Sequence, residues 1–189
     1  MLRIEWDKKE LETRIMSHSS YSIMDQWIPV FVYIDNIEIS GLKNIPNGDI
    51  THLISFFPNL MSIFQEIDPE KFGKIEFMKG PRTGNLVEGG GFKFTVLLEK
   101  KTDVLTINYS NKGIREWQTI TIPLKEFING ALYAANEIIS DFQRIVPRES
   151  EDDEFLTTLK LYYNLIREWY EERYHESVEE KYVIPHEYL

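Results

Sequence analysis

The chain has 189 residues, 31 acidic against 21 basic, giving a formal charge of −10 and a pI near 4.9. With 42% hydrophobic and 13% aromatic residues it is too apolar for a disordered acidic tail, and its length suits one domain. The absence of cysteine excludes disulfides, thiolate metal sites, iron–sulfur clusters and cysteine nucleophiles. The negative balance points away from nucleic acid and anionic membrane, and towards a basic protein partner.

Residues 1–17 place Asp7, Lys8, Lys9, Glu10 and Glu12 where an export signal needs an apolar core, so a cytoplasmic start is expected. Residues 27–35 read as a strand with Pro29 near its beginning, and Asp35-Asn36 turns it back into a hairpin partner at 37–40. Asp49 is a candidate cap for a helix that starts near Ile50 and carries Leu53, Ile54 and Phe57, with Pro58 expected to break or kink it. A short strand is expected at 74–78. The longest apolar stretches, such as 27–34 and 53–57, fall far below the roughly 18 residues of a membrane-spanning helix.

Residues 80–91 hold five glycines and one proline in twelve positions and read as a loop. Gly84 and Gly89 have the spacing of a phosphate-binding loop. Gly90 and Gly91 stand where its lysine and Ser/Thr belong, and a strand follows where a helix should. Phe92, Phe94, Val96 and Leu98 then alternate with Lys93, Thr95, Leu97 and Glu99, the period of a half-buried strand. Turns at 100–103 and 111–113 separate it from strands at 104–110 and 114–122, which predicts an antiparallel meander.

From Leu124 the period becomes helical: Leu124, Ile128, Ala131, Ala135, Ile138, Phe142 and Ile145 recur every three or four residues. Pro123 suits the first turn and Pro147 the stop, which predicts a helix over about 124–146. Gly130, Ala131, Ala134 and Ala135 are small enough for this helix to sit tightly on a sheet. Residues 148–154 carry five acids, one base and no apolar residue, and read as a solvated linker. A second long helix is expected over about 155–175, its apolar stripe being Phe155, Leu159, Tyr162, Ile166 and Trp169, widened by Tyr163, Tyr170 and Tyr174. The fold class is therefore α+β: an antiparallel sheet made of the meander and the N-terminal hairpin, packed against two long helices. Residues 1–147 form the body, and 148–189 pack on the same domain.

Motifs for chemistry are sparse. Glu172 and His175 have the Glu-x-x-His spacing of carboxylate-bridged metal bundles, but no second copy exists to complete such a site. No Gly-x-Ser-x-Gly elbow is present, and neither a metal nor a cofactor is expected. The charge distribution says more. Residues 148–189 hold twelve acids and five bases, a net of −7, which leaves −3 for residues 1–147. Glu151, Asp152, Asp153, Glu154, Glu168, Glu171, Glu172 and Glu176 are interleaved with or lie near Trp169, Tyr170 and Tyr174. Acids beside exposed rings would suit a basic protein, the charges raising encounter rates and the rings anchoring. The competing reading is a solvated helix face beside core aromatics.

The stretch 92–142, a meander followed by Ile-Pro-Leu-Lys-Glu-Phe-Ile at 122–128 opening a long helix, resembles small cytoplasmic immunity proteins of bacterial toxin–immunity systems. The resemblance covers about a quarter of the chain. It implies a non-catalytic inhibitor that binds a cognate toxin, often through an acidic face covering a basic active site. The expectation is a protein-binding module of this kind. Its alternatives are a small-ligand binder or enzyme with a pocket between sheet and helices under the 80–91 loop, or a nucleic-acid mimic.

Overall fold

The computed structural model describes residues 1–17, 26–41, 50–74 and 86–186. The expected cap at Asp49 and all but the first residue of the expected strand at 74–78 lie outside these residues, as do positions 80–85 of the glycine-rich loop.

The chain opens with strand β1 (Leu2–Trp6), where Leu2 and Ile4 are buried and Arg3 and Glu5 face out. Asp7 then starts helix α1 (Lys8–Ser17) by accepting the backbone N–H groups of Lys9 and Glu10, both at 2.9 Å. The stretch expected as one strand at 27–35 is two: β2 (Trp27–Ile28) and β3 (Val30–Ile34). Pro29 has no N–H to give a ladder, and the chain changes sheets there. β2 pairs with β5 (Thr51–His52), whereas β3 pairs with β1 and with β4 (Ile37–Glu38). The Asp35-Asn36 turn forms as expected, with Asp35 at φ 53°.

Helix α2 (Leu53–Ser62) contains Pro58 and runs on past it for another turn. The break comes later, at Ile63, and is followed by the short helices α3 (Phe64–Ile67) and α4 (Pro69–Phe72). Part of the expected glycine-rich loop is a strand, β6 (Leu86–Glu88), at the edge of the sheet β6-β7-β8-β9. The other three strands are the meander: β7 (Phe92–Glu99), β8 (Val104–Asn111) and β9 (Ile114–Pro123). The N-terminal hairpin does not extend this sheet. It belongs with β1 in a sheet of its own, and the Asn111 side-chain amide, donating to the Ile39 carbonyl at 3.0 Å, ties the two together.

Helix α5 (Leu124–Ile145) matches its expected span. Its first N–H, at Leu124, donates to the carbonyl of Asp103 in the β7–β8 turn at 2.8 Å. Gly130 sits against β1: a Cβ there would lie 2.2 Å from the Leu2 carbonyl oxygen. The small-residue stretch does bring the helix tightly onto a sheet, and that sheet is the N-terminal one.

The expected linker is a packed turn. Helix α6 (Glu149–Asp152) buries Ser150, whose hydroxyl donates to the Pro147 carbonyl at 2.9 Å while its acidic neighbours face outwards. Asp153 caps helix α7 (Glu154–Tyr174) by accepting from the Leu156 N–H at 2.8 Å, and His175 ends it in the left-handed region. α7 packs on α5 and α2, and one hydrophobic core joins Leu2 of β1 to Tyr170 of α7. The fold is α+β, with antiparallel sheets and two long helices. No helix among the described residues is long and apolar enough to cross a membrane.

Candidate functional site

The aromatic residues expected as surface anchors are structural. Trp169 is 5% exposed and Tyr170 2% exposed. Trp169 lies edge-on to Phe64 and Phe72, with centroids at 5.9 and 5.6 Å, and its indole N–H donates to Asp68 Oδ2 at 2.9 Å. Tyr170 donates to Glu176 Oε2 at 2.7 Å. Half-buried Tyr174 donates to Asp103 Oδ2 at 2.8 Å, beside Arg173, whose Nη2 reaches Asp103 Oδ1 at 2.6 Å. Each ring is buried by the stripe it belongs to, and each polar tip finds a carboxylate of this chain, so none is left to anchor a partner.

The acids divide into two groups. Four of those expected to meet a partner are neutralised within the fold: Glu171 by Arg167 at 2.6 Å, Glu168 by Lys181 at 3.3 Å, Glu172 by Lys71 and Glu176 by Lys125. The Lys125 ammonium, and then the Tyr170 phenol, hold the Glu176 carboxyl below its ordinary pKa. The other group is the α6 turn. Glu149, Glu151, Asp152 and Glu154 are exposed, and no ion pair engages them among the described residues. Behind them Lys160 is buried, its Nζ 3.5 Å from the Ser150 carbonyl. Burial lowers the Lys160 pKa, against the opposing pull of Asp153 and Glu151. The expected contact surface thus contracts to one turn.

The space between the meander and the helices is filled by buried side chains, among them Phe94, Ile107, Ile122 and Phe127. Open grooves lie elsewhere. One, of about 450 Å³, runs between α5, α7 and the segment that follows α7. That segment, 176–186, folds back along α7. Buried Asn164 accepts the Tyr182 N–H at 3.0 Å and donates to the Tyr182 carbonyl at 2.8 Å, while Glu171 Oε1 accepts the Val178 N–H at 2.8 Å. The Tyr182 hydroxyl reaches Asn136 of α5. None of this pairing was expected from the chain's periodicity. The only signal was an odd one: polar Asn164 and Arg167 amid an apolar stripe.

No family model, no curated protein and no solved structure matches this chain. Among the described residues no group of three or more His, Asp or Glu could hold a metal ion. Glu172 of the Glu-x-x-His pair is bound to Lys71, and His175 is the left-handed residue that ends α7. Gly90 of the 80–91 loop serves packing: a Cβ there would meet the Ile50 carbonyl oxygen at 1.9 Å, and its N–H donates to Thr51 Oγ1 at 2.9 Å.

The phenols around α7 give the fold an alkaline limit. Burial is the main cause that pushes Tyr163 and Tyr174 up to about 12, with Glu180 adding at Tyr163 and the Asp103 hydrogen bond at Tyr174. Burial raises Tyr182 as well. Folded phenols keep protons that unfolded ones release near pH 10, so their contribution is intact below pH 10 and lost as pH climbs towards 12. Lys160 acts oppositely, since a lowered pKa makes stability rise with pH until the unfolded value of 10.5 is passed. The urea midpoint, followed by tryptophan fluorescence, should therefore hold or rise to about pH 10 and drop between about pH 10.5 and 12. A midpoint level across that upper window would contradict the burial of these phenols.

Proposed function

We propose that the protein is a non-catalytic binding module that occludes a basic protein partner, in the manner of an immunity protein or comparable inhibitor. The observation that supports this reading is the α6 turn. Four carboxylates, Glu149, Glu151, Asp152 and Glu154, stand exposed on a packed turn without ion pairs among the described residues, while Glu168, Glu171, Glu172 and Glu176 are neutralised by the chain's own cations. Such a cluster on a packed turn makes the local potential negative, attracts positive surfaces and orients their approach. The resemblance of 92–142 to bacterial immunity proteins supplies the class of partner, a toxin with a basic active site.

Co-purification from the native cell followed by mass spectrometry identifies the partner. With it in hand, Glu151→Lys, Asp152→Lys and Glu154→Lys combined should slow association about tenfold or more at low ionic strength and flatten its salt dependence. These positions are exposed, so the variant keeps its fold, which circular dichroism checks. Association rates equal to those of the parent would refute the electrostatic role of this turn.

A further inference from the structure

The groove between α5 and the returning segment is walled by Leu132 and Tyr133 of α5, Tyr163 of α7, and Val178, Glu179 and Glu180 of the segment. Its volume of about 450 Å³ is within the range of small-ligand sites, roughly 300–1,000 Å³. The two asparagines that also line it are occupied: Asn129 meets the Tyr170 phenol and Asn136 the Tyr182 phenol. Three features are not. Tyr163 is 2% exposed, yet its hydroxyl has no hydrogen-bond partner among the described residues. Glu179 and Glu180 are exposed and have no cationic partner among the described residues, Glu180 meeting only the Tyr182 phenol. The Tyr133 ring is 64% exposed on the groove wall.

The Tyr163 side chain is buried but its unpartnered hydroxyl opens on the groove, where an incoming polar group can bond it. Two carboxylates ask for a cation, and an open ring offers its face to one. The chain's own neighbouring cations are engaged elsewhere, Lys181 with Glu168, Arg167 with Glu171 and Lys125 with Glu176. A lysine ammonium is a compact point charge. A guanidinium is flat, stacks on aromatic faces and spreads five donors in a fork, which suits a groove that combines carboxylates, a phenol oxygen and an open ring.

We propose that this groove receives an arginine side chain presented by a basic protein partner. The inference rests on the functional reading above and adds to it a second contact point, one of shape as well as charge. Burial and Glu180 together keep the Tyr163 phenol neutral, and so available as both acceptor and donor, up to about pH 12.

The test needs no partner. The full chain, ¹⁵N-labelled, is titrated with N-acetyl-arginine amide, N-acetyl-lysine amide and N-acetyl-citrulline amide. The arginine probe should give saturable shifts centred on Leu132, Tyr133, Tyr163 and Val178 to Glu180. The lysine probe should bind more weakly, and uncharged citrulline about tenfold more weakly or not at all. Glu180→Gln and Tyr163→Phe should each weaken arginine binding several-fold, with the dispersed amide spectrum certifying the fold, whereas Glu151→Gln should leave it unchanged. Absence of saturation, equal binding of citrulline, or shifts centred on residues 149–154 would overturn the proposal. The two readings separate cleanly. If reversal of the α6 acids slows partner association while the arginine probe leaves the groove untouched, the groove assignment falls and the occlusion reading stands; the converse pattern removes the α6 turn and keeps the groove.

Discussion

Trp169→Ala is expected to lower the free energy of unfolding by about 4 kcal/mol, within the range of roughly 3–5 kcal/mol for deletion of a buried aromatic. Trp169 is 5% exposed and fills the angle between Phe64 of α3 and Phe72 of α4, and its indole N–H is hydrogen-bonded to Asp68. The loss therefore has two parts, a cavity among three rings and a carboxylate deprived of its donor. Asp68 also caps α4 through the Lys71 N–H at 3.2 Å, so the damage spreads to a short helix with little stability of its own. Trp169→Phe separates the parts: it keeps most of the apolar volume and should cost about 1.5–3 kcal/mol, the worth of a hydrogen bond to a charged acceptor. Urea unfolding followed by circular dichroism reads both. A Trp169→Ala variant within 1 kcal/mol of the parent would mean that the ring is dispensable to the fold and free to contact a partner.

The second large effect is one of sign. Intrinsic propensity says that alanine in place of a mid-helix glycine stabilises by about 1 kcal/mol. At Gly130 the outcome should be the reverse. The new Cβ would lie 2.2 Å from the Leu2 carbonyl oxygen and 2.7 Å from the Leu2 Cβ, and the first of these is β1 backbone, which cannot rotate aside. Forcing β1 and α5 apart should make Gly130→Ala destabilising by about 1–3 kcal/mol, the usual range for overpacking, and Gly130→Val worse. Ala131 and Ala134, one and four positions further along, already carry the methyl group and are buried. Thermal unfolding of Gly130→Ala decides the matter: a raised midpoint would show that α5 and β1 leave room for a methyl group at this position.

These two residues also mark what the chain's patterning could and could not reveal. The meander, α5 and α7 were legible because each repeats a period for two turns or more, and the crowding of small residues at 130–135 announced a close contact. Its partner was not legible, because Leu2 is 128 positions away. β1 itself alternates Leu2, Ile4 and Trp6 with Arg3 and Glu5, a period-two signal masked by the charged helix that follows. For α7, periodicity reported a wide apolar stripe but not which edge stays uncovered. α5, the short helices and the returning segment between them leave Trp169 and Tyr170 with almost no exposed area. Half of the eight acids expected to meet a partner are bound by Lys71, Lys125, Arg167 and Lys181, two of which come from far outside the acidic region. The α6 turn was misread because only Ser150 is buried in it, and one small polar residue leaves no hydrophobic trace.

The seat of β1 on α5 sets a schedule for the chain during its synthesis. The hairpin partner β3 follows β1 within about thirty residues, but the surface that covers Leu2 arrives only with Gly130. At roughly 5–20 residues per second, that interval is about 6–25 s. Throughout it, the buried face of the N-terminal sheet is an unsheltered apolar surface, open to chaperones and to its own neighbours on the same message.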